Sequence, residues 1–244
     1  MSIISNFVSF FGYYNHSRGK LEKAEQWYRR AHKFGPMPPA REGTFGVLLL
    51  KRGDFEGAIT QFDIALKDRG CKDNLRAMIR MNRAMAYFKL GDTQKALIAL
   101  EDIHSNFKSL RVYQTLGYVY TAAGFYDKAE PYNLEAVEYE PDDPVILDNT
   151  GQMYLQMGEW DKAKEYCERA YAVKHISDVC YHLGLVAEHE DRVEDALAYY
   201  REALTKNIDA LNDVTRDQIY ERIFALEGDD EPDAEGAAPK DTDD

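Results

Sequence analysis

The sequence predicts an all-α chain: a right-handed α-solenoid of about six helix–turn–helix repeats, closed by a C-terminal capping helix. Three observations predict it. Alanine recurs at Ala24, Ala58, Ala96, Ala129, Ala163 and Ala196, at spacings of 34, 38, 33, 34 and 33 residues. A second small or apolar residue follows each by seven positions, at Ala31, Ala65, Ile103, Ala136, Ala170 and Ala203. Glycine precedes five of the six leading alanines, at Gly19, Gly53, Gly91, Gly124 and Gly158. A period of about 34 residues marks a helical solenoid, in which each unit buries its apolar face only against its neighbours.

The phase of these positions places the units at 5–38, 39–72, 77–110, 110–143, 144–177 and 177–210, with residues 73–76 as a small insertion. The chain opens on an apolar, aromatic stretch, Ile3 to Tyr14. It lacks a basic n-region and a small-residue cleavage site, so it is a poor signal peptide. It is also too short to span a bilayer, which needs about 20 apolar residues. It reads as the first helix of the first unit, with a membrane-interface anchor as the alternative.

In every unit the second helix is the clearer one. Leu21 to Ala31 and Trp160 to Ala170 repeat apolar residues at three and four, which is helical spacing. The turn glycine ahead of it takes a left-handed conformation at no steric cost. Unit six has Asp191 there, which tolerates that conformation less well. Asp54, Asp92, Asp127 and Asp161 follow closely and suit a helix N-terminus. Pro36 and Pro141 end two units, because proline cannot continue a helix.

The first helices carry a small residue of their own, at Gly12, Gly46, Ala84, Gly117, Gly151 and Gly184. Glycine inside a helix costs about 1 kcal/mol relative to alanine, so its recurrence implies close approach of the paired helices. The expected neighbour across that approach is the alanine of the second helix. Tyr87, Tyr120 and Tyr154, three residues further on, fill the space beside it. After unit six, residues 211–227 read as an amphipathic capping helix through Ile219, Ile223, Phe224 and Leu226. Residues 228–244 contain no large apolar side chain and are expected to form a disordered acidic tail.

The pattern of small residue, tyrosine, turn glycine, alanine, alanine and proline resembles the tetratricopeptide repeat. Leu116-Gly117, Tyr120, Gly124, Ala129, Ala136 and Pro141 carry it most clearly. The resemblance covers residues 5–210 and recurs six times in phase. The family's early aromatic position departs from the pattern, holding Val8, Glu42, Arg80, Tyr113, Leu147 and Cys180. The resemblance implies an extended protein-binding surface with no catalytic pocket. It also implies that the first helices line a concave groove through residues one turn apart. Mapped onto this sequence, the groove residues are Val47 and Leu50 in unit two and Met78, Met81, Asn82, Met85, Phe88 and Lys89 in unit three. Unit four supplies Arg111, Gln114 and Tyr118, and unit five supplies Val145, Asp148, Gln152 and Leu155. The methionines suit an adaptable surface for an apolar peptide or helix, or else are ordinary core. Asn82 and Arg111 are similar to two positions of the carboxylate clamp in chaperone-cofactor repeats, but Gly43, Val47 and Thr115 occupy the other three. A chaperone-tail clamp is therefore rejected.

Nothing in the sequence suggests an enzyme. There is no phosphate loop, no GxSxG elbow, no HExxH and no zinc-ligand spacing. No catalytic residue, metal site or cofactor is expected. His182 and His189 lie seven apart, about 10.5 Å of helical rise, too far for one ion. They read as surface or groove histidines. Cys71, Cys167 and Cys180 show no CxxC spacing and read as small core residues. An odd number argues against a secreted disulfide framework and points to the cytoplasm.

Charge is unevenly spread. Residues 1–111 carry 19 basic and 11 acidic residues, net +8, and residues 112–227 carry 10 and 24, net −14. Residues 228–244 add −7, giving −13 for the chain. The expected function is a non-enzymatic adaptor that binds a protein or peptide segment in its groove. The alternative is a self-assembling scaffold, a homo-oligomer in which the basic half of one chain meets the acidic half of the next. No nucleic-acid partner and no stable membrane span are expected.

Overall fold

The computed structural model describes residues 2–228, and among them there is no β-strand. Thirteen helices follow one another: α1 (Ile3–His16), α2 (Leu21–His32), α3 (Pro39–Lys51), α4 (Phe55–Lys67), α5 (Asp73–Lys89), α6 (Thr93–Asn106) and α7 (Leu110–Ala122). Then come α8 (Tyr126–Tyr139), α9 (Pro144–Met157), α10 (Trp160–Val173), α11 (Ser177–His189), α12 (Val193–Thr205) and α13 (Arg216–Glu227). Each odd helix packs against the even helix that follows it, from α1 with α2 to α11 with α12. Successive odd helices also touch one another, so they form an inner row. The helix α13 packs on α12 as a cap. The expected acidic tail, from residue 229 onward, lies outside the described residues.

The turns follow from backbone chemistry. All five turn glycines have positive φ, between 70° and 86°, and Asp191 takes the same role at 57°. Asp54 and Asp92 then cap α4 and α6, accepting from the amides of Gly57 and Lys95. Residues 73–76 do not form a loop. They add a turn to the start of α5, which reaches 17 residues.

The small residues of the inner helices do mark close approach, but not to the alanines. A Cβ at Gly12 would stand 2.6 Å from the Tyr28 ring, and one at Gly151 would stand 2.5 Å from Cys167 Sγ. Gly46 faces Phe62, Gly117 faces Asn133 and Gly184 faces Tyr200 in the same way. Each partner lies four residues after its alanine, one turn further along the same face. The larger side chain, not the alanine, fills the space the glycine leaves. Ala24, Ala58, Ala96, Ala129, Ala163 and Ala196 are all completely buried.

Unit two departs from the pattern through Glu42. Its side chain is completely buried, accepts from the Met37 amide at 2.7 Å and lies 3.0 Å from His32 Nε2. The hydrogen bond to Glu42 raises the His32 pKa against the opposing effect of burial. A carboxylate that ties the unit boundary together thus replaces an aromatic plug. The capping helix begins at Arg216, later than the expected 211. Thr215 and Gln218 form a reciprocal capping box at its start, and Val214, Ile219 and Ile223 anchor it in a core cluster with Cys180, Ala196 and Tyr200. The preceding residues, 206–215, run back across the inner row.

Candidate functional site

Three inner helices supply one face each. Met81 and Met85 stand a turn apart on α5, Gln114 and Tyr118 on α7, and Asp148 and Gln152 on α9. Residues four apart share a helix face, so all six side chains turn toward the same concavity. It encloses about 260 Å³, with Asn82, Arg111, Thr115, Val145 and Asn149 also on its walls. Leu211 and Asp213, from the segment between α12 and α13, close the remaining side.

Nine of the fifteen groove residues read from the sequence border this cavity: Met81, Asn82, Met85, Arg111, Gln114, Tyr118, Val145, Asp148 and Gln152. Met81 is only 7% exposed and belongs to the central core cluster as well, so it is core and floor at once. Phe88 packs edge-on against Tyr118, with ring centroids 5.8 Å apart. Val47 packs at the margin of the N-terminal core. Leu50 is completely buried in that core and leaves no surface for a ligand. Met78 is exposed but lies outside the cavity, a turn before Met81.

Lys89 has a different role from the one read for it. Its Nζ donates to the carbonyl of Asn212 at 3.0 Å and to Tyr118 Oη at 3.2 Å. It is one of several groove groups that grip residues 209–214. The Ala210 amide donates to the carbonyl of Lys51 at 3.0 Å, and Lys51 Nζ pairs with Asp209 at 3.3 Å. Lys51 ends α3, so its carbonyl is one that the helix cannot satisfy itself. Asp178, on α11, accepts from Asn212 Nδ2 at 2.6 Å and from the amides of Asp213 and Val214 at 3.0 and 3.3 Å. The Asp213 carboxylate accepts from Gln152 Nε2 at 2.6 Å and from Tyr118 Oη at 3.4 Å. This strap therefore touches every inner helix from α3 to α11.

Beneath the strap lies a buried ionic cluster. His182 is 2% exposed, not a surface residue. Its Nδ1 donates to Asp148 at 2.8 Å, and its Nε2 lies 3.7 Å from the Asp213 carboxylate. Burial works against the imidazolium, but the two carboxylates overcome it and hold the His182 pKa well above the usual histidine value. Burial also acts to raise Asp213, and there the hydrogen bond and charge of His182, with Lys89, leave its carboxyl below the usual range. Burial and then the nearby Asp148 push Asp178 upward. Desolvation lowers Lys89, against the pull of Asp213, Asp178 and Asp209. His182 thus bridges Asp148 on the groove floor and Asp213 on the strap.

Family models described as tetratricopeptide repeat match residues 44–104, 110–143, 146–176 and 177–205, together well over half of the chain. The chain is a tetratricopeptide repeat protein. A thermophilic repeat protein of Thermus thermophilus shares its fold at a TM-score of 0.65 and 22% identity, over 77% of this chain and 98% of that one. The pilF protein of Pseudomonas aeruginosa aligns at a TM-score of 0.58 and 15% identity, over 82% and 90% of the two chains. A tetratricopeptide repeat protein from Parabacteroides merdae gives 0.54 and 17%, over 92% and 99%. At these identities the likeness is one of fold. Comparison with curated proteins returned no match. Tetratricopeptide repeat proteins are generally protein-interaction modules and typically non-catalytic. No helix among the described residues is long and apolar enough to cross a membrane.

The sequence reading missed Asp178, Leu211 and Asp213 as groove residues, and left His182 as a surface or groove histidine. A signal for His182 was present, since Gln114, Asp148 and His182 follow one another at intervals of 34. They are one position in three successive units. Nothing comparable marks Leu211 or Asp213, which lie outside the repeats.

Proposed function

We propose that this repeat protein is a non-enzymatic adaptor that binds a peptide or helical segment of a partner protein in the groove between α5, α7 and α9. The observation that carries this is the cavity itself. Met81, Met85 and Val145 line it with apolar surface, alongside polar groups from Asn82, Arg111, Gln114, Thr115, Asp148 and Gln152. A concavity that joins apolar surface to convergent polar groups is the usual form of a recognition site. Among the described residues Arg111 meets no carboxylate within 4 Å, and its side chain is free to orient a ligand acid. Three unpaired, buried cysteines suit a reducing compartment, and we place the protein in the cytoplasm. Selection of displayed peptides on the full chain tests the proposal. The selected peptides should lose about tenfold or more in affinity for Arg111→Ala and for Met85→Glu, a loss in the range of an interface hot spot. Unchanged affinity for both variants would sink it.

A second reading, head-to-tail self-assembly, draws on the two ends of the stack. The α1 residues Ile3, Phe7, Phe10 and Tyr14 expose an apolar stripe in the basic half. At the other end Tyr220 and Phe224 are exposed beside Asp217 and Glu221. The two surfaces are complementary in charge and alike in apolar character.

A further inference from the structure

The strap meets the groove as a ligand would. Its bonds run to side chains and helix ends of the inner row, and two groups recognise a specific residue: Gln152 and Tyr118 take the Asp213 carboxylate. Asp178 reads the backbone, accepting from two successive amides. Leu211, two residues before Asp213, packs on the N-terminal core beside the cavity. The segment has no helix or strand of its own, and its internal bonds are short-range ones around Asp209 and Asn212. Ile208 and Val214 pack in the same C-terminal core as Ile219 and Ile223 and hold the two ends of the segment, so the position of residues 209–213 between them depends on what the groove offers.

An empty groove would leave His182 and Asp178 without partners from the strap. A buried ion that loses its partner is costly, so the groove favours an occupant that restores the carboxylate and the backbone donors. Any segment with the same chemistry satisfies the same groups, and the exchange leaves the groove's own bonding unchanged. We propose that residues 209–213 are a displaceable internal ligand. On this proposal the partner bound in their place is a protein segment carrying an aliphatic residue and, two positions later, an aspartate or glutamate. The proposal rests on the reading of this groove as a binding site. It makes the strap a competitor present at an effective concentration on the order of millimolar. The partner must therefore outcompete a tethered copy of its own chemistry, and the wild-type chain is held below its intrinsic affinity.

Two measurements on the full chain test this. The first uses a fluorescent peptide with the sequence of residues 206–215 as probe. The Leu211→Ser/Asp213→Asn double variant should bind it about tenfold or more tighter than wild type, because its own strap no longer competes. A peptide with Asn in place of the aspartate matching Asp213 should lose that gain. Equal binding by wild type and variant overturns the proposal. If peptides selected on wild type bind while the strap peptide binds neither chain, this proposal fails and the adaptor reading stands. If no peptide binds either chain, the adaptor reading falls with it. The second measurement needs no variant and guards against one that fails to fold. Amide hydrogen exchange in wild type should show Ala210 and Asp213 opening about a hundredfold faster than core amides of α9, as a separate unit. Protection equal to that of α9 would make the strap a fixed part of the fold and overturn the proposal.

Discussion

His182 concentrates the electrostatics of the molecule in one side chain. It faces Asp148 from α9 and Asp213 from the strap, with Asp178 on its own helix, while Lys89 from α5 acts on the same Asp213. Replacing it with alanine removes the cation between two carboxylates, and should cost about 3–5 kcal/mol, as for other broken buried pairs. The pH dependence has a definite sign. The folded pKa of His182 lies above its ordinary value of 6.5. Its contribution is therefore fully present below that value and is lost as pH rises through the folded pKa. The stability gap between wild type and His182→Ala, measured by urea melts from pH 5 upward, should shrink toward alkaline pH. A gap that stays constant would mean the imidazole is held neutral. The repeat phase made Asp148 legible as a groove position, and the same phase leads to His182. Its burial was not legible, because the cover over it comes from outside the repeats.

At the level of the helix pair, the close approaches determine how the stack packs. Gly46 faces the Phe62 ring across the α3–α4 pair. Gly46→Ala should cost about 1–3 kcal/mol by overpacking, and the cost should fall in a Phe62→Leu background. An undiminished cost in the double-mutant cycle would show that Phe62 is not the partner. Ala129→Leu and Ala163→Leu, at completely buried positions, should each cost about 1–3 kcal/mol for the same reason, and a neutral urea melt would refute their placement. Glycines, alanines and turn positions were legible because they answer to local geometry: a positive φ, or a helix face repeated every turn. The neighbour of each glycine was misread, because spacing locates a close approach without saying which side chain fills it. The strap was illegible for a stronger reason. Asp213 finds Gln152 and Tyr118 at sequence separations of 61 and 95, and Asn212 finds Lys89 at 123. No periodicity links residues that far apart.

The whole molecule is a row of helix pairs whose inner face is crossed by its own chain, with a basic first half and an acidic second half. If the exposed α1 stripe and the Tyr220–Phe224 face associate head to tail, average mass in sedimentation should rise as salt is lowered, since the Debye length is about 8 Å at physiological ionic strength. Phe224→Asp should abolish that rise, and a monomer at every salt concentration would dismiss the self-assembly reading. If the inner groove, rather than the outer surface or the ends, takes the partner, hydrogen exchange with a selected peptide bound should show added protection in α5, α7 and α9 together with faster exchange at Ala210 and Asp213. Protection confined to outer helices such as α6 and α8, with the strap amides unchanged, would place the partner elsewhere.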